Sequence, residues 1–165
     1  MSSQSSRRDF LKKLAVTGAA VASGGGAIAG EKDSGIKPKV PRRTLGRTGA
    51  EVSILGLGLG SAYWRTFDGN PEGAEEILHR ALSYGINYWD TSRNYGNSEL
   101  LIGPAVEKVR DKVFLVSKSG TRDYDGFRAD LETSLKNLRT DRIDLYHIHE
   151  VNPKDDLDLI QNGAA

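Results

Sequence analysis

Tyr88-Trp89-Asp90-Thr91-Ser92-Arg93-Asn94-Tyr95-Gly96-Asn97-Ser98-Glu99 opens like a buried strand and turns within a few residues into a polar loop built around one acid and one phenol. An Asp at a strand end before Thr-Ser is often a turn or helix-capping residue, whereas a lysine ending a doubly apolar strand, as Lys118 does below, needs a partner. The flanking sequence shows where partners come from. Upstream, Ala74, Ile77, Leu78, Ala81 and Leu82 repeat at helical spacing between Pro71 and Ser83, with Gly85 just after, so a helix is predicted there. Downstream, residues 98–112 carry a helical pattern that Gly103-Pro104 should kink or split. Val113 to Lys118, "VFLVSK", then reads as a strand buried on both faces. Phe127, Leu131, Leu135 and Leu138 mark another helix, and Ile143 to His149 another strand.

Ahead of these units, Arg43 to Ser53 reads as a short hairpin with glycines in its turn, and Val52 to Leu59 as an apolar run broken by Gly56 and Gly58. Strands therefore start near residues 52, 86, 113 and 143, giving units of 34, 27 and 30 residues. An eight-unit (β/α)8 barrel of ~250 residues has units of ~31. Crossovers of this length demand parallel strands, and a doubly wound sheet shares that period. The polar residues favour the barrel: Asp90, Lys118 and His149 each end a different strand, at the face where barrel active sites are built.

Together these groups have a chemistry. A phenol titrates near 10, and a close ammonium lowers that value; Lys118 can supply the ammonium for Tyr95, and Asp90 can hold the charge on Lys118. His149 can hydrogen-bond a carbonyl oxygen and orient it. Such a site protonates an oxygen while another group attacks the carbonyl carbon.

Four segments carry a resemblance to a known family. They are Arg43 to Gly58, "WDTSRNYGNSELLIG" at 89–103, "VFLVSK" at 113–118 and "SLKNLRTDRIDLYHIH" at 134–149. In this order and spacing the chain resembles the aldo-keto reductase superfamily. The resemblance implies an α/β fold, a (β/α)8 TIM barrel of aldo-keto reductase type, truncated here to roughly its first four βα units. It implies a catalytic tetrad of Asp90, Tyr95, Lys118 and His149, with Tyr95 as general acid. It also implies NADPH as hydride donor, an aldehyde or ketone as small-molecule substrate, and an alcohol as product. Gly58, Leu59, Gly60 and Asp90 are the expected cofactor contacts. The chain ends before the family's strands five to eight, which hold most of the cofactor, and a truncated gene or incomplete sequence is the expectation.

Other readings of the same residues are open. His147-x-His149 followed by Glu150 suits a divalent metal in a barrel hydrolase, a reading that leaves Tyr95 and Lys118 without roles. A non-enzymatic exported half-barrel acting as a binding or assembly module is the alternative from another class. His147 is expected in an inner layer, His79 on a helix surface, and Trp64 either at the substrate pocket or in the core. Gly56-x-Gly58-x-Gly60 is one residue short of the dinucleotide fingerprint, and Ala62-Tyr63-Trp64 opens no evident helix.

The 165 residues include no Cys, which excludes disulfides and thiol catalysis, and 38% hydrophobic with 27% charged residues is a globular composition. The net charge of +1 hides an N-terminal excess of three positive charges over residues 1–29, and no basic patch points to nucleic acid. Ser6-Arg7-Arg8-Asp9-Phe10-Leu11-Lys12, a weakly apolar run from Leu14 to Ala22, and Ala27-Ile28-Ala29 resemble a bacterial twin-arginine export signal. That resemblance implies a signal peptide at 1–29 cleaved after Ala29 or at Ala22, the Tat machinery as partner, a periplasmic destination, and membrane contact only through the signal segment. Residues 30–41, with two prolines and three lysines among Lys32 to Pro41, read as a linker, and 42–165 as the half-barrel.

Overall fold

A computed structural model of the chain describes residues 39–153 and 155. The export signal, its cleavage sites and most of the linker lie outside the described residues. What is described of the linker is held in place: the Val40 N–H donates to the Tyr84 carbonyl at 2.7 Å, and the Ile54 N–H to that of Pro41 at 3.0 Å.

Strands β1 (Arg42–Thr44) and β2 (Glu51–Ser53) form the expected antiparallel hairpin. Gly46 and Gly49 supply positive φ angles of 53° and 76° in its turn, conformations open to glycine at little cost. The hairpin is fastened by Asn87, whose Oδ1 accepts from the Ser53 N–H at 2.7 Å and whose Nδ2 donates to the Glu51 carbonyl at 2.9 Å.

Four parallel strands follow: β3 (Gly56–Gly58), β4 (Tyr88–Asp90), β5 (Phe114–Ser119) and β6 (Leu145–Ile148), hydrogen-bonded in the order β3-β4-β5-β6. Chain order equals sheet order. A doubly wound sheet reverses direction at a switch point, whereas a barrel adds each strand beside the last, so this order resolves the ambiguity that periodicity left. The described residues form an arc of a (β/α) barrel, α/β with parallel strands. One boundary differs from expectation: the run from Val52 to Leu59 is two strands, because the chain turns at Ile54 and Leu55, which are exposed, and β3 starts only at Gly56.

The helices are α1 (Ser61–Thr66), α2 (Pro71–Ser83), α3 (Ser98–Val109), continued by a 3-10 turn at Arg110–Lys112, and α4 (Tyr124–Asn137). Helix α1 was not expected. Its six residues bury only Tyr63, too short a span for a periodic pattern. Helix α3 runs through Pro104 without splitting; the carbonyl that proline leaves unbonded is that of Leu100, an exposed residue, where water can satisfy it. Asn70 and Asp123 cap α2 and α4 by accepting from the N–H groups of Gly73 and Gly126.

The core lies between the outer face of the sheet and the helices. Trp89 and Leu115 point outward from β4 and β5 onto Leu78, Ile102, Ala105, Val106 and Leu138, all fully buried. Strand alternation then turns Tyr88, Asp90, Phe114 and Lys118 to the concave face, where the rings of Tyr88 and Phe114 stack with centroids 5.4 Å apart. Helix α3 meets the end of α4 so closely that a Cβ on Gly103 would stand well inside contact distance of the Asn137 carbonyl oxygen. Among the described residues, no helix is long and apolar enough to cross a membrane.

Candidate active site

The four residues picked out in the sequence converge at the C-terminal edge of the arc. Asp90 closes β4, Lys118 sits near the end of β5, and His149 follows β6 with its N–H bonded to the Ser119 carbonyl at 2.7 Å. Tyr95 reaches the same place from the loop after β4. That loop is held by its backbone: the N–H groups of Thr91 and Arg93 donate to the carbonyls of Val116 and Lys118 at 2.9 Å each. Gly96, at φ 54°, lets it turn under the indole of Trp64, whose Cε2 would lie only 2.6 Å from a Cβ there. Trp64 thus supports the Tyr95 loop.

The Lys118 ammonium donates to Asp90 Oδ1 at 2.6 Å and to the Thr91 carbonyl at 2.7 Å. It lies 5.3 Å from the centroid of the Tyr95 ring, against the ring rather than at the hydroxyl. The Tyr95 hydroxyl is 3.3 Å from His149 Nε2, and the two rings meet edge to face.

Burial pushes the Tyr95 phenol above its ordinary pKa, and the carboxylates of Asp90 and Glu150 push it the same way. The net shift runs against the fall expected from Lys118 alone. Asp90 compensates the ammonium at short range, and desolvation of the phenolate dominates. Such a phenol is protonated at neutral pH.

The expected cofactor contacts divide. Gly58 pairs with Asp90 across β3 and β4, and nothing lies within 4 Å of where its Cβ would stand. At Gly60 a Cβ would lie 3.8 Å from the Tyr95 ring. These two glycines leave an open cradle of bare backbone beside Asp90 and Tyr95. Leu59, between them, offers the cradle no side chain. Its side chain is fully buried in the core, its N–H donates to the Asp90 carbonyl, and its carbonyl accepts from the hydroxyls of Thr91 and Ser98. Leu59 anchors the two glycines.

A cavity of about 490 Å3 opens beside this cradle, lined in part by Tyr95, His149, Asn94, Ser61, Arg122 and Glu150. A cleft of similar size at the opposite end of the sheet involves the hairpin, where Asn87 is already fully engaged.

Sequence reasoning missed two residues here. Ser92 is fully buried, with its Oγ 3.2 Å from the Lys118 carbonyl and 3.4 Å from His149 Nδ1. Asn94 bridges loops by accepting from the Gly120 N–H at 2.9 Å. Both lie between Asp90 and Tyr95, and that position was the available signal.

The histidines separate as well. His147 pairs in register with Lys118 and so faces the concave side as expected, but it is exposed there, since no described residue covers that face. His79 is on the surface of α2, 3.0 Å from Glu75. Among the described residues no group of three or more His, Asp or Glu is arranged to hold a metal, and His149 is engaged by Tyr95 and Ser92.

Comparison with known proteins agrees with this fold. The model of the aldo/keto reductase family matches residues 54–163. The oxidoreductase YqkF of Bacillus subtilis is 32% identical over 131 residues, covering 71% of this chain and 41% of that protein. A Pseudomonas aeruginosa protein assigned to the aldo-keto reductases superposes with a TM-score of 0.67 at 34% identity, over 79% of this chain and 55% of its own. A Klebsiella pneumoniae aldo/keto reductase, solved with NADP and acetate, gives a TM-score of 0.54 at 29% identity, over 59% of this chain and 35% of its own. The chain spans 41% of the length of the curated relatives it matches.

Proposed function

This chain belongs to the aldo/keto reductase family, and on that premise we propose that its protein reduces an aldehyde or ketone to an alcohol with NADPH as reductant. The observation that carries the reading is the convergence of Tyr95, His149 and the Lys118–Asp90 pair beside an open glycine cradle. The bare backbone at Gly58 and Gly60 fits a flat ring, and Gly58, Gly60 and Asp90 would hold it. When bound, the nicotinamide supplies the hydride. NADPH rather than NADH is supported by the Klebsiella relative.

The chain's own residues then divide the work. Tyr95, protonated at neutral pH as a phenol is, gives its proton to the carbonyl oxygen as that oxygen gains charge. His149, beside the phenol at 3.3 Å, orients the same oxygen. Lys118 is fixed by Asp90 and the Thr91 carbonyl, so its positive charge stands at a defined place under the Tyr95 ring and steadies the negative charge that phenol acquires. A metal hydrolase or a non-enzymatic module gives the Lys118–Asp90 pair no task.

Gly58→Val tests the site. Its Cβ would enter the cradle with no atom within 4 Å, so folding should persist while NADPH binding, followed by protein fluorescence, is lost. Unchanged, saturable NADPH binding by the variant would refute the placement. We also infer export of the protein by the twin-arginine route to the periplasm, supported by Arg7-Arg8 and the apolar run after them. Replacing both arginines by lysine should leave the protein in the cytoplasmic fraction; unaltered export would overturn that inference.

A further inference from the structure

A histidine that orients a carbonyl oxygen must offer it an N–H, and a neutral imidazole has one. Which nitrogen carries the proton is set by what the other nitrogen meets. Here the two nitrogens of His149 meet different groups: Nε2 faces the Tyr95 hydroxyl and the cavity, and Nδ1 faces Ser92 Oγ at 3.4 Å.

Ser92 is placed to decide between them. Its side chain is fully buried, so water cannot compete for its hydroxyl. One of its lone pairs accepts from the Asn94 N–H at 3.1 Å. Its single proton has two acceptors in reach, the Lys118 carbonyl at 3.2 Å and His149 Nδ1 at 3.4 Å. The Lys118 carbonyl already receives the Arg93 N–H at 2.9 Å and does not depend on the serine. Among the described residues, Nδ1 has no other recorded hydrogen-bond partner.

We propose that Ser92 is the positioning residue that sets the tautomer of His149: its hydroxyl donates to Nδ1, which leaves the proton on Nε2, pointing at the site. The proposal rests on the carbonyl-reduction reading, which needs an N–H donor at Nε2. It assigns a task to a buried serine that does not line the cavity. The Asn94 N–H occupies one lone pair of the serine oxygen.

The test is long-range proton–nitrogen NMR on the full chain, uniformly labelled with nitrogen-15, at a pH where His149 is neutral; the His149 signals are assigned by their loss in His149→Gln. The expected result is a protonated Nε2 and a bare Nδ1. A protonated Nδ1 would overturn the proposal. In Ser92→Ala the proton should redistribute toward Nδ1, with a roughly tenfold fall in kcat and an unchanged KM for NADPH, while Ser92→Thr, which keeps the hydroxyl, should restore both tautomer and rate. A Ser92→Ala protein with the wild-type tautomer and rate would also overturn it. If the reductase reading itself is wrong, no variant turns over a carbonyl, yet the tautomer and its response to Ser92→Ala still report on the serine.

Discussion

Replacing Asp90 by Asn should destabilise the protein more than replacing Lys118 by Met, although each removes half of the same ion pair. The Lys118 side chain is only 15% exposed, whereas Asp90 is 31% exposed. Asp90→Asn removes the countercharge and leaves a mostly buried ammonium with neutral acceptors alone, the new amide oxygen and the Thr91 carbonyl. Stranding a fully buried charge costs about 3–5 kcal/mol; the residual access of water to Lys118 lowers this to roughly 2 kcal/mol. Lys118→Met keeps the apolar stem packed and leaves a carboxylate that water can reach, so its cost should stay below about 1 kcal/mol. The coupling energy from the double variant should be about 1–1.5 kcal/mol, above the ~0.2–1 typical of exposed pairs. Urea denaturation at pH 7 measures all three variants. Equal losses, or a larger loss for Lys118→Met, would refute the reasoning by showing that water solvates the ammonium as well as the carboxylate.

Gly103→Ala should cost about 1–3 kcal/mol in thermal or urea melts, because the added methyl meets the Asn137 carbonyl and α3 must move off α4; a neutral change would show that the two helices slide apart freely. In the chain without cofactor, the ultraviolet titration difference between wild type and Tyr95→Phe should place the phenol above its ordinary value of ~10, since burial and two carboxylates all raise it; an inflection below 9 would show that Lys118 governs it instead. The Tyr146 phenol is pushed up to about 12, chiefly by burial. The folded form therefore holds that proton longer than the unfolded one, so the contribution is complete below about pH 10 and lost as pH rises through about 12, by about 1–2 kcal/mol. Tyr146→Phe should flatten that part of the stability curve, and an unchanged curve would contradict the burial.

What the sequence made legible was set by how local each signal is. Strands β4 and β5 could be read because Trp89 and Leu115 alternate with residues of the other face and because a lysine ending an apolar run demands a carboxylate. Their pairing fixed where Asp90 and Lys118 meet, and the loop length fixed where Tyr95 lands. The division of 52–59 into hairpin strand and barrel strand was not legible, since Ile54 and Leu55 are as apolar as their neighbours and only the fold reveals that they are exposed. Helix α1 was missed because six residues hold too few buried positions to make a period. The direction of the Tyr95 shift was misjudged for a different reason. Sequence places an ammonium near a phenol, but only coordinates show Asp90 Oδ1 closer to that ammonium than the hydroxyl is. Ser92 was hidden in plain view, between two residues whose chemistry drew the eye.

The central claim is that Tyr95 gives a proton to a carbonyl oxygen while hydride arrives from NADPH. The direct test is the carbonyl-dependent loss of NADPH absorbance at 340 nm, with a panel of aldehydes and ketones, for wild type and Tyr95→Phe side by side. Removing a general acid costs about 10²–10⁴-fold in rate, so turnover by wild type and a loss of that size in the variant, with NADPH binding intact, is the predicted result. Equal turnover in the two proteins would contradict the account.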